Sequence, residues 1–227
     1  MLVKFEKLPL NMQNDEVKKY YNILVKKRFY LIVKRLFDFL LSLVILILLI
    51  PVFIVLTVLI KIDSQGPVFY HQERITKYGK KFKIIKFRTM IVDADQKGTL
   101  ITVNEDKRIT KIGQKIRHSR LDEIPQLINV LKGEMSFVGT RPEVLKYVEK
   151  YSNTMRATLL MPAGITSSAS INYRDEDQIM DKYLKKNGNV DDIYINKILP
   201  DKMKYNLEYL QKCSIIEDIK LCIKTII

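Results

Sequence analysis

The sequence contains no tryptophan and only two cysteines and two histidines. Cys213 and Cys222 are too far apart to share a helix face at i and i+4, and their spacing matches neither a disulfide framework nor a zinc motif. We therefore expect both to be buried apolar residues in a reducing cytoplasm. With His71 and His118 as the only imidazoles, a metal site built from histidine ligands is disfavoured.

Acidic residues are also few compared with basic ones. The chain has 25 Asp and Glu against 39 Lys and Arg, which gives a formal net charge of +14. A chain this basic suits an anionic partner, which could be nucleic acid, anionic lipid headgroups or a phosphorylated substrate. Nucleic acid fits poorly because no aromatic stacking platform is evident. A long apolar run favours the lipid.

That run contains no charged residue from position 39 to position 60. At about 1.5 Å per residue it would cover about 33 Å, enough to cross a hydrocarbon core of about 30 Å. It begins too late for a cleavable signal peptide and lacks a small-residue cleavage site. Pro51 lies past its middle, where proline removes a backbone hydrogen bond and kinks or breaks a helix.

Both flanks of the run are basic, so the positive-inside rule gives neither end a reason to cross the membrane. We predict a re-entrant helix-break-helix hairpin over residues 36–62, with its break at Pro51, that enters and leaves the same leaflet. A kinked single span is the alternative. Asp38 is expected at the membrane interface, paired with Lys34 or Arg35 at helical spacing.

Residues 1–35 form a basic arm. Asn14 and the two acidic residues after it predict the start of a helix, along which Val17, Tyr21 and Leu24 recur at helical spacing. The arm is either a solvated amphipathic helix or one held against an anionic membrane face, where each basic residue contributes about 1 kcal/mol. The neighbouring apolar run favours the membrane.

Two β-prone segments follow, at residues 68–72 and 82–87, with a turn that includes Tyr78 and Gly79 between them. They predict a short β-hairpin. Lys86 and Arg88, on the second strand and its tail, either belong to a solvated face or contact the phosphates of headgroups or substrate.

The strongest chemical signal is a pair of adjacent carboxylates, Asp122 and Glu123, at the predicted start of a helix that ends at Gly133. Ser119 and Asp122 match a capping box, so the pair could be no more than a helix cap and a favourable charge for the helix dipole. A tight turn at residues 139–143 favours a catalytic role for the pair over a capping role, because it presents Arg141 as a guanidinium fork suited to a phosphate. Flanked by Arg117 and Arg141, the two carboxylates could hold a divalent metal ion and an anionic ligand together.

Several motifs occur in a fixed order between Lys34 and Asn172. They are Lys34-Arg35-Leu36-Phe37-Asp38, Pro51, Gly66-Pro67-Val68-Phe69, Gln72-x-Arg74, Lys86-Phe87-Arg88-Thr89-Met90, Leu121-Asp122-Glu123-Ile124-Pro125-Gln126-Leu127-x-Asn129-Val130-Leu131-Lys132-Gly133-Glu134-Met135-Ser136-Phe137-Val138-Gly139, and Arg141-Pro142. Together they resemble the bacterial sugar transferase family, the monotopic polyprenyl-phosphate phosphoglycosyl transferases. The block that begins at Leu121 is very specific, whereas each of the other motifs is weak alone.

The resemblance implies a Mg²⁺-dependent enzyme that moves a sugar 1-phosphate from a UDP-sugar donor to polyprenyl (undecaprenyl) phosphate and releases UMP. It implies that Asp122 is a nucleophile that forms a covalent phosphosugar–aspartate, and that Glu123 is a Mg²⁺ ligand. It further implies that Arg141 binds phosphate and that Arg117 is a basic residue near the acid pair. Pro51 matches the break in the family's re-entrant membrane helix.

The chain departs from the family pattern at several places. Ile50 precedes Pro51 where some members have serine, and Thr140 replaces the first proline of a Gly-Pro-Arg-Pro loop. The segment at residues 162–172 lacks an arginine, a tryptophan and a glutamine of the family pattern. Because the three residues missing from this segment belong to the family's sugar-recognition side, the sequence leaves the choice of sugar open.

Near the C terminus, a charge run at residues 174–177 is expected at the surface, with substrate contact as the alternative. Ser214 and Glu217 predict the cap of a last helix with one apolar stripe. We expect that stripe to pack against the core; because lysines flank it, a position in the membrane interface is the alternative. The stripe comprises Ile215, Ile216, Ile219, Cys222, Ile223 and Ile226.

These features predict an α+β, mostly helical fold in three parts: a basic amphipathic arm (1–35), a re-entrant membrane hairpin (36–62) and a small cytosolic catalytic domain (63–227) with a short β-hairpin and interfacial amphipathic helices. The expected location is the bacterial inner membrane, with the catalytic domain on its cytoplasmic face; a homo-oligomer is compatible with the sequence. The expected function is the start of lipid-linked glycan synthesis. The alternative is a membrane-anchored basic protein that binds anionic lipid without catalysis.

Overall fold

The computed structural model describes residues 2–94, 106–174, 176–184 and 189–226. These residues are mostly helical, with two small sheets, which agrees with the predicted α+β class. The helices are α1 (Asp15–Lys26), α2 (Arg28–Leu48), α3 (Ile50–Asp63), α4 (Lys111–His118), α5 (Gln126–Lys132), α6 (Leu145–Val148), α7 (Ser168–Asn172), α8 (Glu176–Leu184), α9 (Val190–Ile193), α10 (Leu199–Lys212) and α11 (Ile215–Ile226). The strands are β1 (Phe69–Ile75), β2 (Lys81–Phe87), β3 (Met135–Val138) and β4 (Ala163–Thr166).

The apolar run forms two helices rather than one. Within the described residues no single helix has the length and apolar composition to cross a membrane, whereas α2 and α3 meet both criteria together, bent by 61°. The break falls at Leu49, and Pro51 lies in the first turn of α3, where a missing N–H removes no intrahelical bond. The predicted broken helix is confirmed, with its break two residues before Pro51.

The N-terminal arm packs against the rest of the chain. The Asn14 side chain accepts a hydrogen bond from the Val17 N–H at 3.0 Å and caps α1 as predicted. Val17 and Leu24 are buried in a core cluster that also contains Val138 and Leu210. The apolar face of α1 therefore packs in the core, and only its basic face could contact a membrane. Helix α2 runs without interruption through the boundary predicted between residues 35 and 36.

The predicted β-hairpin is confirmed. Strands β1 and β2 pair antiparallel, and the connection is closed by Tyr78 and Gly79, both of which have positive φ. The register places Tyr70 opposite Lys86.

The second sheet was not predicted. Strands β3 and β4 pair in parallel, and Gly139 and Gly164 allow the backbones beyond β3 and within β4 to approach closely. A Cβ on Gly139 would lie 2.5 Å from the Pro162 carbonyl oxygen, and one on Gly164 would lie 2.2 Å from the Gly139 nitrogen. This contact fixes the start of the turn that carries Arg141.

Helix α11 begins as predicted, because the Ser214 hydroxyl accepts a hydrogen bond from the Glu217 N–H at 3.2 Å. The expected packing of its apolar stripe is only partly correct. Cys222 packs against the core, but Ile216, Ile219 and Ile223 are exposed, by 79%, 44% and 51%. The buried residues of this helix include Asp218.

Asp218 is buried because it is fully partnered. It pairs with Lys34 of α2 at 2.9 Å and accepts hydrogen bonds from Tyr30 at 3.0 Å and Tyr209 at 2.5 Å. The expected position of Asp38 at the membrane interface is also wrong, since Asp38 is buried and accepts a hydrogen bond from the Phe137 N–H at 3.2 Å. A buried polar face of α2 therefore docks that helix onto β3 and α11.

Candidate active site

Asp122 and Glu123 lie in a 3-10 turn, Leu121–Glu123, between α4 and α5, and not in the first turn of a helix. The capping box expected at Ser119 is absent, because the Ser119 hydroxyl donates to the Lys115 carbonyl at 2.8 Å and closes α4. Arg120 then adopts a left-handed conformation with φ of 55°, and α5 starts only after Pro125. Since the two carboxylates are not used to cap a helix, they are available for other partners.

Glu123 is the most strongly paired carboxylate of the site. Its Oε1 accepts hydrogen bonds from Lys86 Nζ at 2.7 Å and from Arg141 Nη2 at 3.2 Å. Burial opposes ionisation of this carboxyl, but the charges of Lys86 and Arg141 outweigh burial and lower its pKa well below the ordinary value. Glu123 is therefore an anion at every physiological pH.

Asp122 has a different environment. It is half-buried, and burial raises its pKa, which the charge of Glu123 raises further. The positive charges of Lys86 and of Arg117, in the last turn of α4, act in the opposite direction. The site thus contains one firmly held carboxylate next to one whose charge is poorly solvated, a difference typical of functional pairs.

Asn129 connects helix α5, which follows the acid pair, to strand β2, which carries Lys86. No role was predicted for it from the sequence. Its side chain accepts from the Ile85 N–H at 3.0 Å and donates to the Lys83 carbonyl at 2.9 Å. It is fully buried. Asn129 ties α5 to β2 and so fixes the distance between Lys86 and Glu123. Its signals in the sequence are its place in the block that begins at Leu121 and its polar side chain on the apolar face of a helix.

Arg88 is directed away from the acid pair. Its guanidinium donates to the Gln65 carbonyl at 2.5 Å and to the Ser64 carbonyl at 2.7 Å, which ties the end of β2 to the loop after α3. The structure brings Lys86, Arg117 and Arg141 to the carboxylates but does not bring Arg88 there. A role for Arg88 in binding substrate stays a prediction.

A cavity of about 500 Å³ opens beside Glu123. Its apolar lining includes Ile45 and Leu49, near the bend of the α2–α3 hairpin, and its charged lining includes Glu123 and Arg141. Asp122 does not line the cavity and lies towards Lys86 and Arg117. The remaining lining residues are Arg120, Ile124, Leu127, Phe137, Ile165, Thr166, Ser170, Ile171, Arg174 and Thr225. We call this space the site cavity.

Arg174 belongs to the charge run that was expected at the surface, and it lines the site cavity while donating to the Lys224 carbonyl at 3.1 Å. It adds a third guanidinium to those of Arg120 and Arg141 at this cavity. Of the other members of that run, Asp175 lies outside the described residues.

The acid pair suits a Mg²⁺ ion better than a metal with an all-protein cage. In the described part of the chain no group of three or more His, Cys, Asp or Glu side chains could hold a metal. Mg²⁺ commonly uses one or two carboxylates together with substrate phosphates and waters. Both hydrogen bonds to Glu123 fall on Oε1, so within the described residues Oε2 is left as a ligand atom next to Asp122.

Comparison with known proteins gives consistent matches. A family model described as bacterial sugar transferase matches residues 29–227. A Bacillus subtilis protein provisionally named undecaprenyl-phosphate N-acetylgalactosaminyl 1-phosphate transferase is 47% identical over 97 residues, 43% of this chain and 54% of that protein.

Two further relatives match over more of the chain. The UDP-glucose:undecaprenyl-phosphate glucose-1-phosphate transferase of Escherichia coli is 34% identical over 175 residues, 75% of this chain and 34% of that protein. The UDP-N-acetylgalactosamine-undecaprenyl-phosphate N-acetylgalactosaminephosphotransferase of Aeromonas hydrophila is 33% identical over 172 residues, 74% of this chain and 37% of that protein. The chain therefore spans about half or less of the length of these relatives.

Proposed function

Because the chain belongs to the bacterial sugar transferase family, we propose that it transfers a sugar 1-phosphate from a UDP-sugar to undecaprenyl phosphate. The names of two relatives state this transfer, one for glucose and one for N-acetylgalactosamine. The sugar of this chain is left open, since the family's sugar-recognition motif is altered at residues 162–172.

The site cavity carries this proposal. Its apolar lining at Ile45 and Leu49 belongs to the helical hairpin, while its charged lining includes Glu123 and Arg141. A lipid phosphate needs this combination, because its hydrocarbon tail must stay beside an apolar surface while its anionic head reaches the site. A ligand without a lipid part would make no use of the apolar lining.

The chemistry follows from the two carboxylates. Asp122 would attack the phosphorus next to the sugar, form a phosphosugar–aspartate and release UMP. The phosphate of undecaprenyl phosphate would then attack that adduct and free Asp122 again. Splitting the transfer in this way lets the two anionic substrates occupy the site in turn, so that they never have to be held there together.

The cations of the site make the first attack feasible. A carboxylate approaches a diphosphate against electrostatic repulsion, and Lys86, Arg117 and Arg141 reduce that repulsion. Glu123 stays ionised because of Lys86 and Arg141, as a metal ligand must. Mg²⁺ bound by Glu123 and the substrate phosphates would neutralise the charge that develops on the leaving group.

We further propose that α2 and α3 form a re-entrant hairpin in the cytoplasmic membrane, with the site on the cytoplasmic face. The bend region exposes large apolar side chains, among them Leu48 at 71% and Ile54 at 60%. The exposed isoleucines of α11, Ile216 and Ile223, would lie in the membrane interface.

The alternative is a membrane-anchored basic protein that binds anionic lipid without turnover. Its specific premise was that Asp122 and Glu123 cap a helix, and the 3-10 turn removes that premise. The charge of +14 alone fits either function.

The test is to incubate the purified full chain in nanodiscs with undecaprenyl phosphate and a panel of UDP-sugars. We expect UMP release with at least one donor and, without acceptor, a protein adduct with the mass of the sugar phosphate. Asp122→Asn should abolish both, whereas Asp192→Asn, at an exposed aspartate of α9, should change neither. EDTA should stop UMP release and added Mg²⁺ should restore it. Turnover by Asp122→Asn at the wild-type rate would overturn the mechanism.

A further inference from the structure

A buried carboxylate lies behind Arg141, and the chemistry above does not use it. Glu143, two positions after Arg141, is 7% exposed. Its Oε1 accepts a hydrogen bond from the Tyr194 hydroxyl at 2.5 Å. Tyr194 is the first residue of a π-helical segment, Tyr194–Ile198, between α9 and α10. Such segments are rare and occur frequently at functional sites, because the extra residue redirects side chains.

The hydrogen-bonded chain continues from Tyr194 to a buried lysine. Lys202, 4% exposed, donates to the Tyr194 hydroxyl at 3.3 Å and to both carboxylate oxygens of Glu176, at 3.1 Å and 2.9 Å. The Tyr194 hydroxyl thus donates to one group and accepts from another, which fixes its direction. We call Glu143, Tyr194, Lys202 and Glu176 the buried chain; its outer end, the Glu176 side chain, is 32% exposed.

The backbone around Arg141 does not depend on the buried chain. The Ile75 N–H donates to the Glu143 carbonyl at 2.9 Å, and the Gly164 N–H donates to the Thr140 carbonyl at 2.9 Å. Arg74 adds a bond to the Pro142 carbonyl at 3.3 Å. Since these contacts hold the turn between β1 and β4, what Tyr194 controls is the direction of the Glu143 side chain.

The charges of three carboxylates act on Arg141, those of Glu123, Glu143 and Glu176, and of these only Glu123 is hydrogen-bonded to it. Its bond to Glu123 measures 3.2 Å, while Glu143 acts on it through charge and is turned to Tyr194. The Arg141 side chain is 41% exposed, so a phosphate can reach it from solvent. The charge of Glu143 acts on the guanidiniums of both Arg74 and Arg141. If Glu143 were released from Tyr194 and paired with Arg141, it would compete with any phosphate for that guanidinium.

We propose that the buried chain is a positioning device that keeps Glu143 away from Arg141, so that the Arg141 guanidinium is free to bind the phosphoryl groups of the substrates. Tyr194 is the positioning residue, and Lys202, fixed by Glu176, orients its hydroxyl. The inference rests on the proposed function for its substrates, but it concerns the binding of phosphate and can be tested without turnover.

The experiment measures the affinity of the full chain in nanodiscs for inorganic pyrophosphate by calorimetry. We expect Tyr194→Phe to raise the Kd about tenfold, the scale of one hydrogen bond to a charged group. Replacing Glu143 by glutamine in the same protein removes the competing charge, so the Tyr194→Phe, Glu143→Gln double variant should return to within about twofold of wild type. Glu143→Gln alone should bind at least as tightly as wild type.

The matched control is Tyr209→Phe, because the Tyr209 hydroxyl also donates at 2.5 Å to a buried carboxylate, that of Asp218, away from Arg141. Tyr209→Phe should lower the unfolding temperature about as much as Tyr194→Phe does. Its Kd for pyrophosphate should stay within about twofold of the wild-type value.

Three outcomes would overturn the inference: no pyrophosphate binding by the wild type, equal Kd changes in the two tyrosine variants, or weaker binding in Glu143→Gln alone. The measurement on Glu143→Gln alone tests the inference even if Tyr194→Phe does not fold. Wild-type pyrophosphate binding with the expected pattern, but no UMP release from any donor, would reject the proposed function and leave this inference standing.

Discussion

At the residue scale, Lys86 links the two carboxylates of the site. It is hydrogen-bonded to Glu123 and is the largest favourable charge acting on Asp122. Its removal would take from Glu123 the cation that lowers its pKa most, which is far more disruptive than the loss of an exposed charge. We expect Lys86→Met to lower the rate of UMP release about 100-fold.

Lys83→Met is the control for that measurement, because Lys83 is on the same strand but exposed. We expect it to retain at least half of the wild-type rate. Equal losses in the two variants would mean that a general basic surface, and not the bond to Glu123, supports the reaction.

A second residue-scale prediction concerns stability in acid. Hydrogen bonds from Arg108 lower the pKa of Asp106 to about 2, against the opposing effect of burial. In the unfolded chain an aspartate titrates near ~3.9, so this residue adds stability above that pH, and the contribution is lost as the pH falls from about 4 to about 2. Asp106→Asn should therefore lower the unfolding temperature at pH 7 and flatten its decline below pH 4. Glu149→Gln, at an exposed site, should keep the wild-type decline; the same decline in both variants would refute the assignment.

Single residues show where the sequence was informative. Arg117 and Arg141 were predicted to flank the acid pair, because they lie close to it in the sequence, whereas Lys86 was predicted only to face solvent or a phosphate. Arg88 has the same charge and lies two positions after Lys86, but it points to the Ser64 and Gln65 carbonyls. The direction of a side chain depends on the loop that happens to pack beside it, and a motif does not contain that information.

At the scale of elements, the buried ion pair between Lys34 of α2 and Asp218 of α11 holds the hairpin to the C-terminal helix. Removing one partner leaves the other charge buried and unpaired. We expect Lys34→Met to lower the free energy of unfolding by about 3–5 kcal/mol. The double variant Lys34→Met, Asp218→Leu should recover part of that loss, since two apolar side chains can replace a buried pair. Denaturant unfolding in nanodiscs measures both.

The exposed pair between Lys212 and Glu208 on α10 provides the comparison for this prediction. Lys212→Met should change the free energy of unfolding by less than about 1 kcal/mol. A loss in Lys34→Met no larger than that in Lys212→Met would mean that the pair does not anchor α2.

Elements were predicted from the sequence to the extent that they bury one face in a regular pattern. The caps of α1 and α11 and the β1–β2 hairpin have local signals and were correct. The β3–β4 sheet has strands of four residues that pair over a long sequence separation, so no local sequence pattern predicts it. The inward face of α11 was misjudged because hydrophobicity does not distinguish a protein core from another apolar environment.

At the scale of the whole molecule, the chain before the apolar run and the chain after it share one core. Val17 and Leu24 of α1 are in the same buried cluster as Met203 and Leu210 of α10. A run that crossed a bilayer would put these residues on opposite sides of about 30 Å of hydrocarbon, and the cluster could not form. This shared core supports the proposed re-entrant hairpin over the kinked single span.

Cysteine accessibility tests that conclusion directly. In a variant with Cys213 and Cys222 replaced by alanine and serine, single cysteines are placed at Leu10, which is 88% exposed, and at the exposed His71, on either side of the hairpin. A membrane-impermeant maleimide should label both positions in inside-out vesicles and neither in right-side-out vesicles, because both flanks belong to one folded unit on one face. Labelling of the two positions from opposite sides would mean that the apolar run spans the membrane, and the core shared by α1 and α10 could then not exist in the bilayer-bound protein.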